Sequence, residues 1–146
     1  MAINHIVLAL DGSSESARAI PVTQELAKCV GAPVTVVQVR EMMLVPKAGG
    51  RPRNINEEEV TGHITQQVAD WVNDGVHADL RVVESTYRGG PAHEIVLVAQ
   101  ELSAGLIVAG ARGYGMITGL LVGSVAHRLP FISPCPVLIV PHAAAG

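Results

Sequence analysis

Four short runs rich in β-branched residues, Ile6 to Leu10, Val34 to Val39, Leu106 to Ala109 and Val137 to Val140, are bounded by Gly, Pro or Asp and separated by longer stretches with helical periodicity. Runs of this kind read as strands buried on both faces. A fifth run, Leu80 to Val83, is shorter and more polar, which suits a strand at a sheet edge. Strands and helices that alternate along a chain bury their apolar surfaces best in layers. The order β-α-β-α-β-α-β-α-β therefore predicts an α/β fold with a parallel sheet covered by helices. No second domain, repeat or low-complexity tract interrupts the pattern, so residues 1–146 read as a single domain.

The intervening helices carry their own start and stop signals. A first helix opens at Ser13 or Ser14, runs through Ala17, Ile20, Ala27 and Val30, and closes at Gly31, with Pro21 expected to kink it. In the next, Val60, Ile64, Val68, Trp71 and Val72 form one stripe, Asn56 and Glu59 are spaced as a capping box, and Gly75 is the stop. A third has Pro91 in its first turn, Ile95, Val98, Ala99 and Leu102 on one face, and an end near Gly105. A short fourth begins at Gly123 and Ser124 and is expected to fade at Pro130. Residues 42–56 hold two prolines and two glycines without periodicity and read as a long connection.

Composition removes several function classes. Aromatics are 3% of the chain and the net charge is −3, so neither base stacking nor neutralisation of a phosphate backbone is served, and nucleic acid is not an expected partner. Cys29 and Cys135 form no C-x-x-C and sit in apolar segments, which suggests small buried hydrophobes in a reducing cytoplasm. The first ten residues lack a charged n-region and a small-residue cleavage site. No apolar run approaches the roughly 20 residues needed to span a bilayer, so a cytoplasmic protein without membrane insertion is expected.

In an open parallel sheet, ligands bind beyond the carboxyl ends of the strands. Two strand ends here carry unusual chemistry. The first strand runs into Asp11-Gly12-Ser13-Ser14, and the fourth into Gly110-Ala111-Arg112-Gly113-Tyr114-Gly115, followed by Gly119 and Gly123-Ser124. Five glycines between Gly110 and Gly123 allow positive φ and close approach of backbone N–H groups to an anion. A helix beginning at Ser124 would add its positive dipole end, and the segment reads as a phosphate cradle.

Gly110, two residues, Gly113, nine residues, then Gly123-Ser124 fits a G-x2-G-x9-G-[ST] pattern, and on it the chain resembles the ATP-binding universal stress proteins. Asp11 through Ser16, Gly90-Pro91-Ala92 through Ile95, Gly123 through Ala126 and Pro134 through Val140 extend the likeness over nearly the whole chain. The resemblance implies a three-layer sandwich with strand order 3-2-1-4-5 and a regulatory, ATP-binding role in stress response. It implies that Asp11 faces the nucleotide or its Mg, and that backbone groups of Ala9 and Val39 meet the adenosine. Gly110, Arg112, Gly113, Gly123, Ser124 and Val125 would hold ribose and phosphates. It also implies a homodimer that pairs the last strands, Val137 to Val140, edge to edge. Two departures stand out: Pro130 and Pro134 are expected to shorten the last helix, and Gly90 stands where an acidic residue is frequent.

Other constellations fit less well. Gly113-Tyr114-Gly115 starts like a dinucleotide fingerprint, but its next glycine comes one residue late and it follows the fourth strand. No lysine precedes Ser124, which excludes a Walker A loop. The six histidines show no metal-ligand spacing, and His127 and Arg128 read as a solvated helix face. Glu57, Glu58 and Glu59 suit a helix dipole better than catalysis. With no base placed beside Asp11 or its serines, binding is expected rather than turnover. The alternative is a slow ATPase, an autokinase or a nucleotidyl-transfer enzyme of the same layered fold.

Overall fold

The computed structural model describes residues 2–41, 57–85, 89–111 and 123–141. Ten elements follow in chain order: β1 (Ile6–Ala9), α1 (Ser14–Ala17), α2 (Ala19–Val30), β2 (Val34–Glu41), α3 (Glu57–Asn73), β3 (Ala78–Ser85), α4 (Gly90–Glu101), β4 (Leu106–Gly110), α5 (Ser124–Ile132) and β5 (Val137–Val140). The strands form one five-stranded sheet in the order β3-β2-β1-β4-β5, with every pair parallel. The expected architecture and strand order are found, and the more polar β3 occupies one edge; Val137 to Val140, read as buried on both faces, is instead only partly buried because β5 is the other edge.

Alternation along the strands divides the core in two. Ile6, Leu8, Val34, Val36 and Val108 face one side and pack with Ala19 and Ala27 of α2 and with Val60, Ile64 and Trp71 of α3. Val7, Val37, Ile107 and Ala109 face the other and pack with Ala92, Ile95, Val96 and Ala99 of α4 and with Leu129 of α5. Each fully buried aliphatic side chain contributes on the order of 1.5–3 kcal/mol, so the pairing of helix stripe with strand face fixes the register of both layers. Among the described residues no helix is long and apolar enough to cross a membrane.

Several expectations are corrected in detail. The first helix is interrupted for one residue where a kink is expected: α1 ends at Ala17 and α2 begins at Ala19, while Arg18 between them keeps helical angles (φ −64°, ψ −22°). Pro21 has no N–H to give the Ala17 carbonyl, and its ring crowds that oxygen, so the break falls four residues before it. Gly31 then closes α2 with φ +69°, as expected of a left-handed stop. In α3 the stripe holds except at Val72, which is 53% exposed. Trp71 and Val72 lie about 100° apart around the helix, and the ring of Trp71 takes the buried direction. Asn56 lies outside the described residues. The third expected helix, α4, ends at Glu101, short of Gly105, because Ser103 adopts φ +50° and the Ala104 N–H turns back to the Ala99 carbonyl (2.9 Å).

The last helix does not fade at Pro130. It continues to Ile132, held by the fully buried Leu129, whose carbonyl accepts from the Ser133 N–H (2.9 Å). Proline there removes one donor without ending the helix. Cys29 is exposed, not buried, since it lies in the last turn of α2 between Lys28 and Val30, both at the surface. Cys135 is half-buried.

Candidate functional site

β1 is the hinge of the sheet, with β2 on one side and β4 on the other, and the three do not end together. The last β1 pairs are Ala9 with Val37 and Ala9 with Ala109. One further bond runs from the Leu10 N–H to the Val37 carbonyl (3.0 Å), after which the chain turns away. β2 goes on beside β3 as far as the Glu41–Ser85 pair. Because the Val37 carbonyl points toward β1, and backbone groups two residues apart point the same way, the N–H and C=O of Val39 face the opening that β1 leaves.

The turn after β1 is built by short polar side chains. Asp11 Oδ1 accepts from the Ser13 N–H (2.8 Å), and Ser13 Oγ caps α1 by accepting from the Ser16 N–H (3.0 Å). Gly12 lies between them at φ +84°, and a Cβ there would stand 2.5 Å from a methyl carbon of Val60. Only glycine lets this turn lie flat against α3. Asp11 is thereby held, half-exposed, at the lip of the crevice.

On the far side, the Ala111 N–H donates to the Val140 carbonyl (2.8 Å), and the Gly123 N–H donates to the Ala111 carbonyl (2.7 Å). The second bond sets the start of α5 directly beside the end of β4. Gly123 is its N-cap with extended backbone and no side-chain cap, Ser124 is exposed, and Val125 is half-buried against the α4 layer. The fold thus brings Ala9, Asp11, Gly110, Gly123 and Ser124 to one end of adjacent strands, with Val39 one strand away. Arg112 and Gly113 lie outside the described residues.

The residues flanking Val39 drew no attention in the sequence. Gln38 is fully buried on the α3 side, where its Nε2 donates to Glu57 Oε2 (3.2 Å) and its Oε1 accepts from Thr61 Oγ1 (2.8 Å). Arg40 Nη2 donates to the same hydroxyl (2.6 Å). The signal that could have found them is a glutamine in the midst of the apolar run Val36-Val37-Gln38-Val39. Arg128, one turn after Ser124 on α5, donates through Nη1 to the Gly89 carbonyl at the start of α4. Gly90 there has φ +69°, a backbone state that favours glycine. His127 and Arg128 are exposed, as expected of a solvated helix face.

At the opposite end of the sheet the polar groups satisfy one another. Thr35 Oγ1 donates to Asp79 Oδ1 (2.6 Å), so it accepts from His5 Nε2 (2.8 Å). Burial is the main reason that the His5 imidazole titrates below its usual value; Asp79 opposes the shift and Arg81 adds to it. Among the described residues no three His, Cys, Asp or Glu side chains are grouped to hold a metal ion.

Comparison with known proteins agrees with this layout. The family model for the universal stress protein family matches residues 2–141. The chain is 30% identical over 155 aligned positions to universal stress protein YxiE of Bacillus subtilis, covering 94% of this chain and 98% of that protein. It is similar to the structure of the universal stress protein from Archaeoglobus fulgidus in complex with dAMP, with TM-score 0.64, 25% identity and coverage of 95% and 98% of the two chains. The structure of a universal stress protein in complex with cAMP shares the fold, with TM-score 0.70, 23% identity and coverage of 98% and 100%.

Proposed function

This chain belongs to the universal stress protein family, and on that premise we propose that residues 1–146 form one cytoplasmic nucleotide-binding domain that holds ATP at the carboxyl ends of β1, β2 and β4. Its role would be regulatory, in the response to stress, through binding rather than turnover. The observation that carries the reading is the bond between Gly123 N–H and Ala111 carbonyl, which sets the start of α5 beside the end of β4, the neighbour of the strand that leads into Asp11. A relative of this family has been solved in complex with dAMP, an adenine nucleotide.

The parts divide along the ligand. Val39 offers one backbone donor and one acceptor to the edge of the base, and the backbone of Ala9 lines the adenosine beside it. Asp11 meets the ribose or a Mg ion carried by the phosphates; such an ion would offset phosphate charge. The amides of Ser124 and Val125, with Gly110, Arg112, Gly113 and Gly123 lining the same spot, take the phosphates, helped by the helix dipole. Calorimetric titration of ATP tests this. Gly113→Ala should bind at least about tenfold more weakly than the wild type, because a side chain obstructs close approach of the main chain to an anion. Equal affinity in both would remove the glycine pattern from the account.

We further propose that the protein is a homodimer through β5. Val137, Leu138, Ile139 and Val140 are all only partly buried at a sheet edge and include no charge or proline to discourage pairing. Ile139→Lys should shift the sedimentation of the protein from dimer to monomer. A wild type that sediments as a monomer at micromolar concentration would refute the assembly while leaving nucleotide binding intact.

A further inference from the structure

Beyond Val37, β2 is bordered by β1 no longer; β3 still pairs with it along the other edge, and α3 packs against one of its faces. Gln38 and Arg40, the neighbours of Val39 in the chain, both reach the single hydroxyl of Thr61. That hydroxyl has one proton, shared between Gln38 Oε1 (2.8 Å) and the Glu57 carbonyl (2.8 Å), and it accepts from Arg40 Nη2 (2.6 Å). Gln38 is 1% exposed and is bound at both ends of its amide, so it has no alternative partner in water. The two peptide units that contain Val39's N–H and C=O are therefore held along one edge by the pairing with β3 and, through Gln38 and Arg40, on one face by the first turns of α3. Their direction into the opening is fixed before any ligand arrives.

We propose that Thr61 is a positioning residue for base recognition: through Gln38 and Arg40 it holds the Val39 peptide in the orientation that reads the donor and acceptor pattern of adenine. The inference rests on the nucleotide reading above and adds to it the element that sets base specificity. Thr61 touches no ligand itself. A backbone donor and acceptor discriminate between bases only if they are held rigidly, since a mobile strand end can rotate to suit either pattern.

The test compares ATP with inosine triphosphate, which differs at the base edge while its sugar and phosphates are the same. Calorimetry on the full chain should give the wild type a preference for ATP of about tenfold, and Thr61→Val should reduce it to about twofold, a loss expected when a polar site is no longer preorganised. Thr61→Ser, which keeps the hydroxyl, should restore the preference. Should Thr61→Val fail to fold, Arg40→Met at a half-exposed position cuts one of the same ties and is read by the same ratio. An unchanged ratio in a folded Thr61→Val or Arg40→Met protein overturns the positioning role while leaving nucleotide binding in place. A wild type that binds both nucleotides equally overturns base reading by Val39, and one that binds neither overturns the nucleotide reading itself.

Discussion

Two sets of helices start at the carboxyl end of the sheet, and the two faces of the sheet prepare those starts differently. On one face, α1 is capped by Ser13 and carries Glu15 in its first turn, and α3 opens with Glu57, Glu58 and Glu59. On the other, α4 and α5 begin with Gly89 and Gly123 as N-caps, with no side-chain cap and no acidic residue in the first turn. A carboxylate in the first turn offsets the positive end of a helix by about 0.3–1 kcal/mol. The starts of α1 and α3 thus carry carboxylates that offset their dipoles, whereas those of α4 and α5 do not. For the proposed nucleotide site the contrast favours one direction: base toward β2 and α3, anion toward α5.

The contrast can be broken most sharply by making α5 resemble α3. Ser124→Asp would place a carboxylate where the phosphates are proposed to lie. It should weaken ATP binding about a hundredfold or more while leaving thermal stability equal or slightly raised. Unchanged affinity, measured by calorimetry, would show that the anion lies elsewhere. The converse change strips α1 of its cap: Ser13→Ala should cost about 1 kcal/mol in urea denaturation, since the Ser16 N–H loses its acceptor. Its effect on ATP affinity should be small, so a large one would mean that the α1 turn contacts the ligand more closely than proposed.

The smallest effect concerns the other end of the sheet. The His5 imidazole has a folded pKa below its usual 6.5, so the unfolded chain binds the proton first as pH falls. Stability from this group is fully present above pH 6.5 and declines as pH drops from there toward the folded value. His5→Asn should flatten that part of the melting-temperature profile without altering ATP affinity. A profile with the wild-type slope would rule out His5 as its source.

How much of this could be read from residues alone varies with the range of the interaction. Strand runs and helix stripes are local patterns, and they located all five strands and the edge position of β3. The strand order came from the family resemblance, because nothing in the spacing of Val34 or Val137 says which neighbour each will choose. Errors fell where local rules compete. Trp71 and Val72 are both apolar, and only packing decides which one faces inward. Pro130 is a helix breaker in isolation, yet the burial of Leu129 beside it carries the helix onward. Asp11 and Gly110 were visible as unusual strand ends, and Gly123 as a helix start. The clamp on Val39 was not, since Gln38 and Thr61 are 23 residues apart and meet only after β2 and α3 have packed.

The bond that joins Gly123 to Ala111 also has a consequence for how this part of the chain can vary. Ala111 and Gly123 are joined by that bond, so the entropy of bringing these two points of the chain together is met by the fold itself. Doubling a flexible circuit adds only about 0.6 kcal/mol to such a cost. Insertions or deletions there should alter which ligands are held and how tightly, and leave the melting point of the sheet nearly where it was.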